Sequence, residues 1–242
     1  MNIGVIFAGG AGTRMNTKSR PKQFLELNGK PILIYTLEIF DNHPEIDGII
    51  VVCIESWIPF LEKMLKKFEI NKVVKIVSGG QTGQESIYKG LCAAETYAQA
   101  KNNEESIVLI HDGVRPLITE DTITDNINKV KEKGSAITII PATETIIIDN
   151  QDGTLNIPKR SMSMIARAPQ SFYLKDIISA HRKSLEENIE FIDSCSMMSY
   201  YGYTMGLVEG PMENIKITTP TDFYVLRAMV EVHENQQIFG FF

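Results

Sequence analysis

An α/β fold is what this 242-residue sequence predicts: a mostly parallel sheet flanked by helices, with a β-arm protruding from it. Three observations lead there. Short apolar runs suited to buried strands alternate with stretches whose apolar residues recur at helical spacing. Two of those runs end in glycine-rich loops, and parallel sheets gather ligands at such strand ends. The alternation is broken once, between residues 136 and 160, where β-like segments follow one another directly.

Ile3-Gly4-Val5-Ile6 reads as the first buried strand, and it feeds the loop from Phe7 to Met15, closed by Pro21-Lys22-Gln23-Phe24. Gly9, Gly10 and Gly12 let the loop turn tightly around a bulky anion, with N–H groups pointing inward. Arg14 and Lys22 add charge, so the loop suits a polyphosphate. A dinucleotide fingerprint needs G-x-G-x-x-G and an acidic residue about 20 positions on, and a P-loop needs Gly-Lys-Ser/Thr. This sequence has neither.

Residues 31–40 carry apolar residues around one helical face, with Pro31 suited to a first turn. A strand over 48–54 follows, then an amphipathic helix over 57–68 in which Trp57 reads as packing and Lys63, Lys66 and Lys67 as a solvated face. The strand 73–77 runs into Ser78-Gly79-Gly80-Gln81-Thr82-Gly83, which opens a helix over 86–98 and forms the opposite wall of the same pocket. Next comes a continuous apolar run, 106–110, ending in His111-Asp112-Gly113-Val114-Arg115-Pro116. This is the signature of a central parallel strand. Asp112, at its carboxyl end, is placed to hold Mg²⁺ against a triphosphate, the bland alternative being a turn or cap residue. His111 reads as an orienting group, and Arg115 as a brace for the loop through its fork of donors.

A helix over 122–132 is expected with Asp121 as its cap. Residues 136–141 and 144–149 read as strands, 150–153 as a hairpin-like turn, and 154–160 as a return strand. The insertion 141–168 is therefore expected to be an arm. Its exposed apolar residues predict a homodimer in which the arm crosses to the neighbouring subunit. Helices over 172–187, carrying His181 and Arg182 at the surface, and from 191, with Asp193 as an N-terminal acid, come next. Lys216 is expected in a strand, its ammonium reaching a phosphate. The last helix, 222–232, is expected to be capped by Thr221, and the tail 235–242 to pack on a partner.

The net charge of −6 and the lack of a dense Lys/Arg run exclude broad nucleic-acid binding. Cys53, Cys92 and Cys195 are widely spaced, which indicates neither a disulfide framework nor a zinc site. No apolar run reaches the roughly 18 residues of a membrane span or carries a signal-peptide pattern, so no membrane contact and a cytoplasmic location are expected.

Six segments in order span nearly the whole chain: Ala-Gly-Gly-Ala-Gly-Thr-Arg-Met from Ala8, Pro21-Lys22-Gln23-Phe24, Gly79-Gly80 with Ser86, His111 to Pro116, Ala168-Pro169-Gln170-Ser171-Phe172, and Val208-Glu209-Gly210 with Asn214 to Asp222. Together they resemble the family containing 2-C-methyl-D-erythritol 4-phosphate cytidylyltransferase and ribitol-5-phosphate cytidylyltransferase, and sit closer to the ribitol branch through Phe24 to Leu27, Ile34 to Thr36 and Ile157 to Arg160. The resemblance implies one Rossmann-like nucleotidyltransferase domain over 1–242. It also implies transfer of CMP from CTP to a polyol phosphate, D-ribitol 5-phosphate foremost, with Mg²⁺. By matching position, Gly10, Gly12, Thr13 and Arg14 hold the triphosphate, and Lys22 and Lys216 flank the α-phosphate. Asp112 holds Mg²⁺, while Ala8, Gly9, Gly80 and Ser86 line the cytidine pocket. Thr145 and Arg160 match residues that grip the acceptor's phosphate from the other subunit, and Arg115 joins them as a substrate-binding residue. Three rivals stay open: methylerythritol phosphate as acceptor, a nucleotide-binding dimer without catalysis, and a dehydrogenase.

Overall fold

A computed structural model describes residues 1–10, 20–103 and 105–239; Gly12, Thr13 and Arg14 lie outside these. Seven strands form one sheet in the order β11 (Leu207–Glu209), β7 (Ser135–Pro141), β10 (Met164–Tyr173), β6 (Ile107–Asp112), β1 (Asn2–Ala8), β4 (Gly48–Cys53), β5 (Val73–Ser78). All neighbours run parallel except β10, which is antiparallel to both β6 and β7. Two short pairs complete the strands: β2 (Glu26–Leu27) with β3 (Lys30–Pro31), and β8 (Ile148–Asp149) with β9 (Leu155–Asn156).

Helices cover both faces. The period of two along β1 sends Ile6 and Ala8 to the face packed by α1 (Ile32–Asn42), α2 (Ile58–Lys67) and α4 (Glu120–Lys133). Ile3 and Val5 go to the other face, under α3 (Gly83–Ala100), α5 (Leu174–Glu187) and α6 (Ser194–Tyr200). Both faces being covered explains why β1, β4 and β6 read as unbroken apolar runs. Each such side chain contributes roughly 1.5–3 kcal/mol on burial. Helix α3 lies close on the sheet because Gly90 has no side chain: a Cβ there would sit 2.7 Å from Val5 and 2.8 Å from Val52. Trp57 stacks on Phe24 at 4.9 Å between ring centres, the packing role its sequence context suggests.

Several expectations are corrected. Residues 164–173 form a central strand where the sequence suggests the end of an arm and a helix from Phe172; the helix begins at Leu174. Between Pro141 and Met164 the chain leaves the sheet, and its strands shrink to the two-residue pair β8 and β9. Thr119, not Asp121, caps α4, its hydroxyl accepting from the Thr122 N–H. The last helix, α7 (Pro220–Phe239), starts before Thr221, so that residue lies inside the first turn, and runs into the expected tail. His181 is buried, not at the surface: it continues the Ile177, Ile178 stripe of α5 and stacks on Tyr88 at 5.6 Å.

Candidate nucleotide and acceptor site

The carboxyl ends of β1, β5 and β6 open on a cavity of about 460 Å³. Ala8, Gly9 and Gly10 form one wall as β1 ends, and Gly80 with Ser86 form the opposite wall. The two walls almost touch below the cavity, since a Cβ on Gly9 would lie 3.6 Å from the Gly79 Cα. Ser86 sets the second loop: its hydroxyl donates to the Thr82 carbonyl and accepts from the Gly80 N–H, each at 2.9 Å. Thr82 caps α3 by accepting from the Glu85 N–H. The first wall is braced by Gln23, a buried residue whose amide donates to the Ala8 carbonyl at 2.5 Å. Its neighbour Lys22 lines the cavity.

Asp112, the last residue of β6, is 5 % exposed and lies on the cavity floor. Arg115 Nε donates to Oδ2 at 2.8 Å and Lys216 Nζ to Oδ1 at 2.6 Å. Burial works against ionisation here, but the charges and hydrogen bonds of Lys216 and Arg115 hold the carboxyl below the usual carboxylate range. Lys216 belongs to an irregular segment, not to the expected strand. A backbone bond from the Ile217 N–H to the Val114 carbonyl fixes that segment against the β6 loop. His111 Nε2 donates to the Arg115 carbonyl at 3.1 Å. Burial lowers its pKa to about 4, so it is neutral and serves to orient the loop.

A second cavity of about 260 Å³ adjoins the first and shares Phe7, Gly83, Asp112 and Lys216 with it. Arg115, Arg167, Gln170 and Asp193 line its far side. Gln170 donates to Asp193 Oδ2 at 2.9 Å, while Asp193 Oδ1 caps α6 by accepting from the Ser196 N–H. Sequence reasoning misses Gln23, Arg167, Gln170 and Asp193 as members of the site. The signal for two of them is present, because Gln23 falls within the Pro21 to Phe24 motif and Gln170 within Ala168 to Phe172.

The structure therefore brings Ala8, Gly9, Gly10, Lys22, Gly80, Ser86, Asp112 and Lys216 to one cavity, with Arg115 beneath it. Thr145 and Arg160 stand apart. Both are exposed on the arm, and Arg160 lines a separate hollow with Lys159, Met164 and Glu209. Among the described residues no helix is long and apolar enough to cross a membrane.

The profile of the 2-C-methyl-D-erythritol 4-phosphate cytidylyltransferase family matches residues 3–232. A ribitol-5-phosphate cytidylyltransferase from Vibrio parahaemolyticus is 52 % identical over 242 residues, covering 99 % of this chain and 100 % of that protein. One from Streptococcus agalactiae is 50 % identical over the same length, with the same coverage. A 2-C-methyl-D-erythritol 4-phosphate cytidylyltransferase from Clostridium novyi is 39 % identical over 232 residues, 95 % of this chain and 96 % of that one. Among solved structures, 4-diphosphocytidyl-2C-methyl-D-erythritol synthase from Anaerococcus prevotii superimposes with a TM-score of 0.81 at 27 % identity, covering 95 % of this chain and 96 % of that one.

Proposed function

The chain belongs to the 2-C-methyl-D-erythritol 4-phosphate cytidylyltransferase family and is a nucleotidyltransferase; from that premise we propose that it transfers CMP from CTP to D-ribitol 5-phosphate. The observation that carries the reading is the junction of the two cavities, where Asp112 and Lys216 stand on the wall common to both. A nucleotide in the larger cavity presents its α-phosphorus there. An acceptor in the smaller one presents its phosphate to the same point.

A phosphate oxygen of the acceptor attacks the α-phosphorus as the bond from that phosphorus to the bridging oxygen breaks. CDP-ribitol and pyrophosphate are formed. Such a displacement asks the protein for alignment and for charge neutralisation. Lys22 and Lys216 flank the α-phosphate, and Arg14 is assigned to the departing pyrophosphate with Gly10, Gly12 and Thr13. Ala8, Gly9, Gly80 and Ser86 are assigned to the cytidine pocket, whose small and backbone-rich lining would favour a pyrimidine over a purine. Asp112 keeps Lys216 aimed at the junction by the 2.6 Å ion pair.

Asp112 also suits Mg²⁺. Each carboxylate oxygen accepts one N–H and has a further lone-pair direction, and Mg²⁺ takes one or two carboxylates together with phosphate oxygens and water. Among the described residues no group of three His, Cys, Asp or Glu is placed to hold a metal ion, so the rest of the shell falls to the triphosphate and water. When bound, the ion offsets triphosphate charge.

The two relatives at 52 % and 50 % identity favour ribitol 5-phosphate over the methylerythritol acceptor named for the 39 % relative. Incubation with CTP, Mg²⁺ and a panel of polyol phosphates, read as pyrophosphate release, tests this. Turnover is expected to be fastest with D-ribitol 5-phosphate. A higher kcat/KM with 2-C-methyl-D-erythritol 4-phosphate would reassign the acceptor, and silence across the panel would end the enzymatic reading. The exposed apolar arm further supports a homodimer, with Thr145 and Arg160 reaching a neighbour's acceptor.

A further inference from the structure

Two anions are forced together by the reaction proposed above, and the role inferred here for Arg167 rests on that reaction. A polyol phosphate must bring its charge against a triphosphate, which needs cations on the acceptor's side of the junction. Lys216 and Arg115 are already committed to Asp112. Arg167 is different. It lies where the pairing of β10 with β7 slips between Ala166 and Gln170, so its backbone stands outside the regular ladder with β7. Its Nη1 donates to the Asn214 carbonyl at 2.8 Å, and Arg115 Nη1 donates to the same oxygen at 2.9 Å.

Two guanidinium groups thus meet over one neutral acceptor. Arg115 has Asp112 as counter-ion, whereas among the described residues Arg167 has no carboxylate within ion-pair distance. Burial, and then the charge of Arg115, both act against Arg167 keeping its proton. Among the described residues no carboxylate offsets that cost, and of the five N–H donors of an arginine one is spent on the Asn214 carbonyl. A dianion in the adjoining cavity of about 260 Å³ would offset it, by the forked geometry in which guanidinium groups hold phosphates.

We propose that Arg167 binds the phosphate of the acceptor, and does so from the same chain that holds the nucleotide. The exposed Arg160, on the arm, lines a different hollow and supplies no charge to this cavity within the chain. The acceptor class follows from the lining: a phosphate on Arg167 and hydroxyl groups on Gln170 and Asp193, as in an open-chain polyol monophosphate.

The test is Arg167→Gln, with Arg167→Lys as the charge-keeping control and thermal unfolding to establish that both fold. In Arg167→Gln the KM for D-ribitol 5-phosphate is expected to rise roughly 10- to 100-fold, the scale of one charged hydrogen bond. The KM for CTP is expected to stay within about twofold, and Arg167→Lys to recover part of the loss. Equal rises in both KM values would overturn the proposal, because they would mean that Arg167 only steadies Asn214 and hence Lys216. So would an unchanged acceptor KM. A second arm does not depend on turnover: inorganic phosphate is titrated calorimetrically into the CTP-saturated protein. Wild type is expected to bind it and Arg167→Gln to bind it at least about tenfold more weakly. Equal binding sinks the anion seat, whereas an intact seat in a protein that turns over no polyol phosphate would sink the function proposed above and leave Arg167 as an anion-binding residue.

Discussion

The carboxyl end of β6 and the arm between β7 and β10 solve opposite problems. Asp112 is 5 % exposed and its two oxygens are held by cations from two separate segments of the chain. The arm shows Ile147, Leu155 and Ile157 more than half exposed, and its Arg160 has a 3.4 Å contact to the Thr143 carbonyl. The first region is complete within one chain: desolvation makes its charge pairs strong, and each partner fixes the other. The second carries apolar surface that the described residues of its own chain leave uncovered, the surface on which the proposed dimer would rest. A charged cluster is thus built where the chain buries it deeply, and the uncovered apolar surface is left on the arm.

The comparison breaks most sharply at Asp112. Asp112→Asn keeps the shape but removes the charge that aims Lys216, and turnover is expected to fall by about 10²- to 10³-fold, as when one electrostatic stabiliser is lost. Lys22→Ala is expected to cost at least about 10²-fold for the same reason. Steady-state kinetics with circular dichroism as a fold check decide it. A rate near wild type in either variant would move the chemistry away from this end of the sheet.

The arm comes next in size. If it completes a neighbour's site, Arg160→Gln in one subunit and Asp112→Asn in the other damage the same active site while the second stays whole. Random mixing of the two variants is then expected to restore about one quarter of wild-type activity, since half of the dimers carry one intact site of two. Recovery to that level supports arm exchange, and none at all means that the arm serves its own chain. On the same reading the wild-type chain is expected to scatter light as a dimer, and Leu155→Asp with Ile157→Asp as a monomer.

The buried β6 region is far more legible in the sequence than the parts around it. The run 107–110 is apolar because both of its faces are covered, and the glycine-rich segments at Gly9 and Gly80 follow strands and line one cavity. Strand β10 escapes detection for a physical reason. Pro169 and Arg167 sit in its middle, which argues against a central strand, and the irregularity of pairing between Ala166 and Gln170 is what accommodates them. The alternation of Ile215 and Ile217 points to a strand around Lys216, yet those residues pack into a small cluster with Leu27 and Ile32. Residue type alone puts His181 at the surface, although the helical spacing of Leu174, Ile177 and Ile178 already includes it.

A milder test asks how the two cavities are kept in register. Gln84, in the first turn of α3, donates to Ser184 Oγ at 2.9 Å and accepts the Phe191 N–H at 2.7 Å. It ties the nucleotide wall to the segment that carries Asp193. Gln84→Ala is expected to raise the acceptor KM several-fold, with the KM for CTP changing less. A change confined to CTP would place its influence on the nucleotide wall instead.

The smallest effect separates burial with a partner from burial without one. Asp112 is buried and charged because cations surround it, whereas both ring nitrogens of His181 are buried with no hydrogen-bond partner among the described residues. Desolvation therefore lowers the pKa of His181 from 6.5 to about 4. The unfolded chain takes up this proton first as the pH falls. The stability that His181 contributes is fully present above about 6.5 and drains away towards about 4, on the order of 3 kcal/mol at the limit. His181→Phe keeps a ring against Tyr88 and removes the proton site. Its unfolding temperature should fall less than that of wild type between pH 7 and pH 5. Some slope should remain, because His111 is lowered to about the same value. Identical pH profiles for the two proteins would mean that His181 is reached by water or a proton donor in the folded state, and that its ring is not buried without a partner.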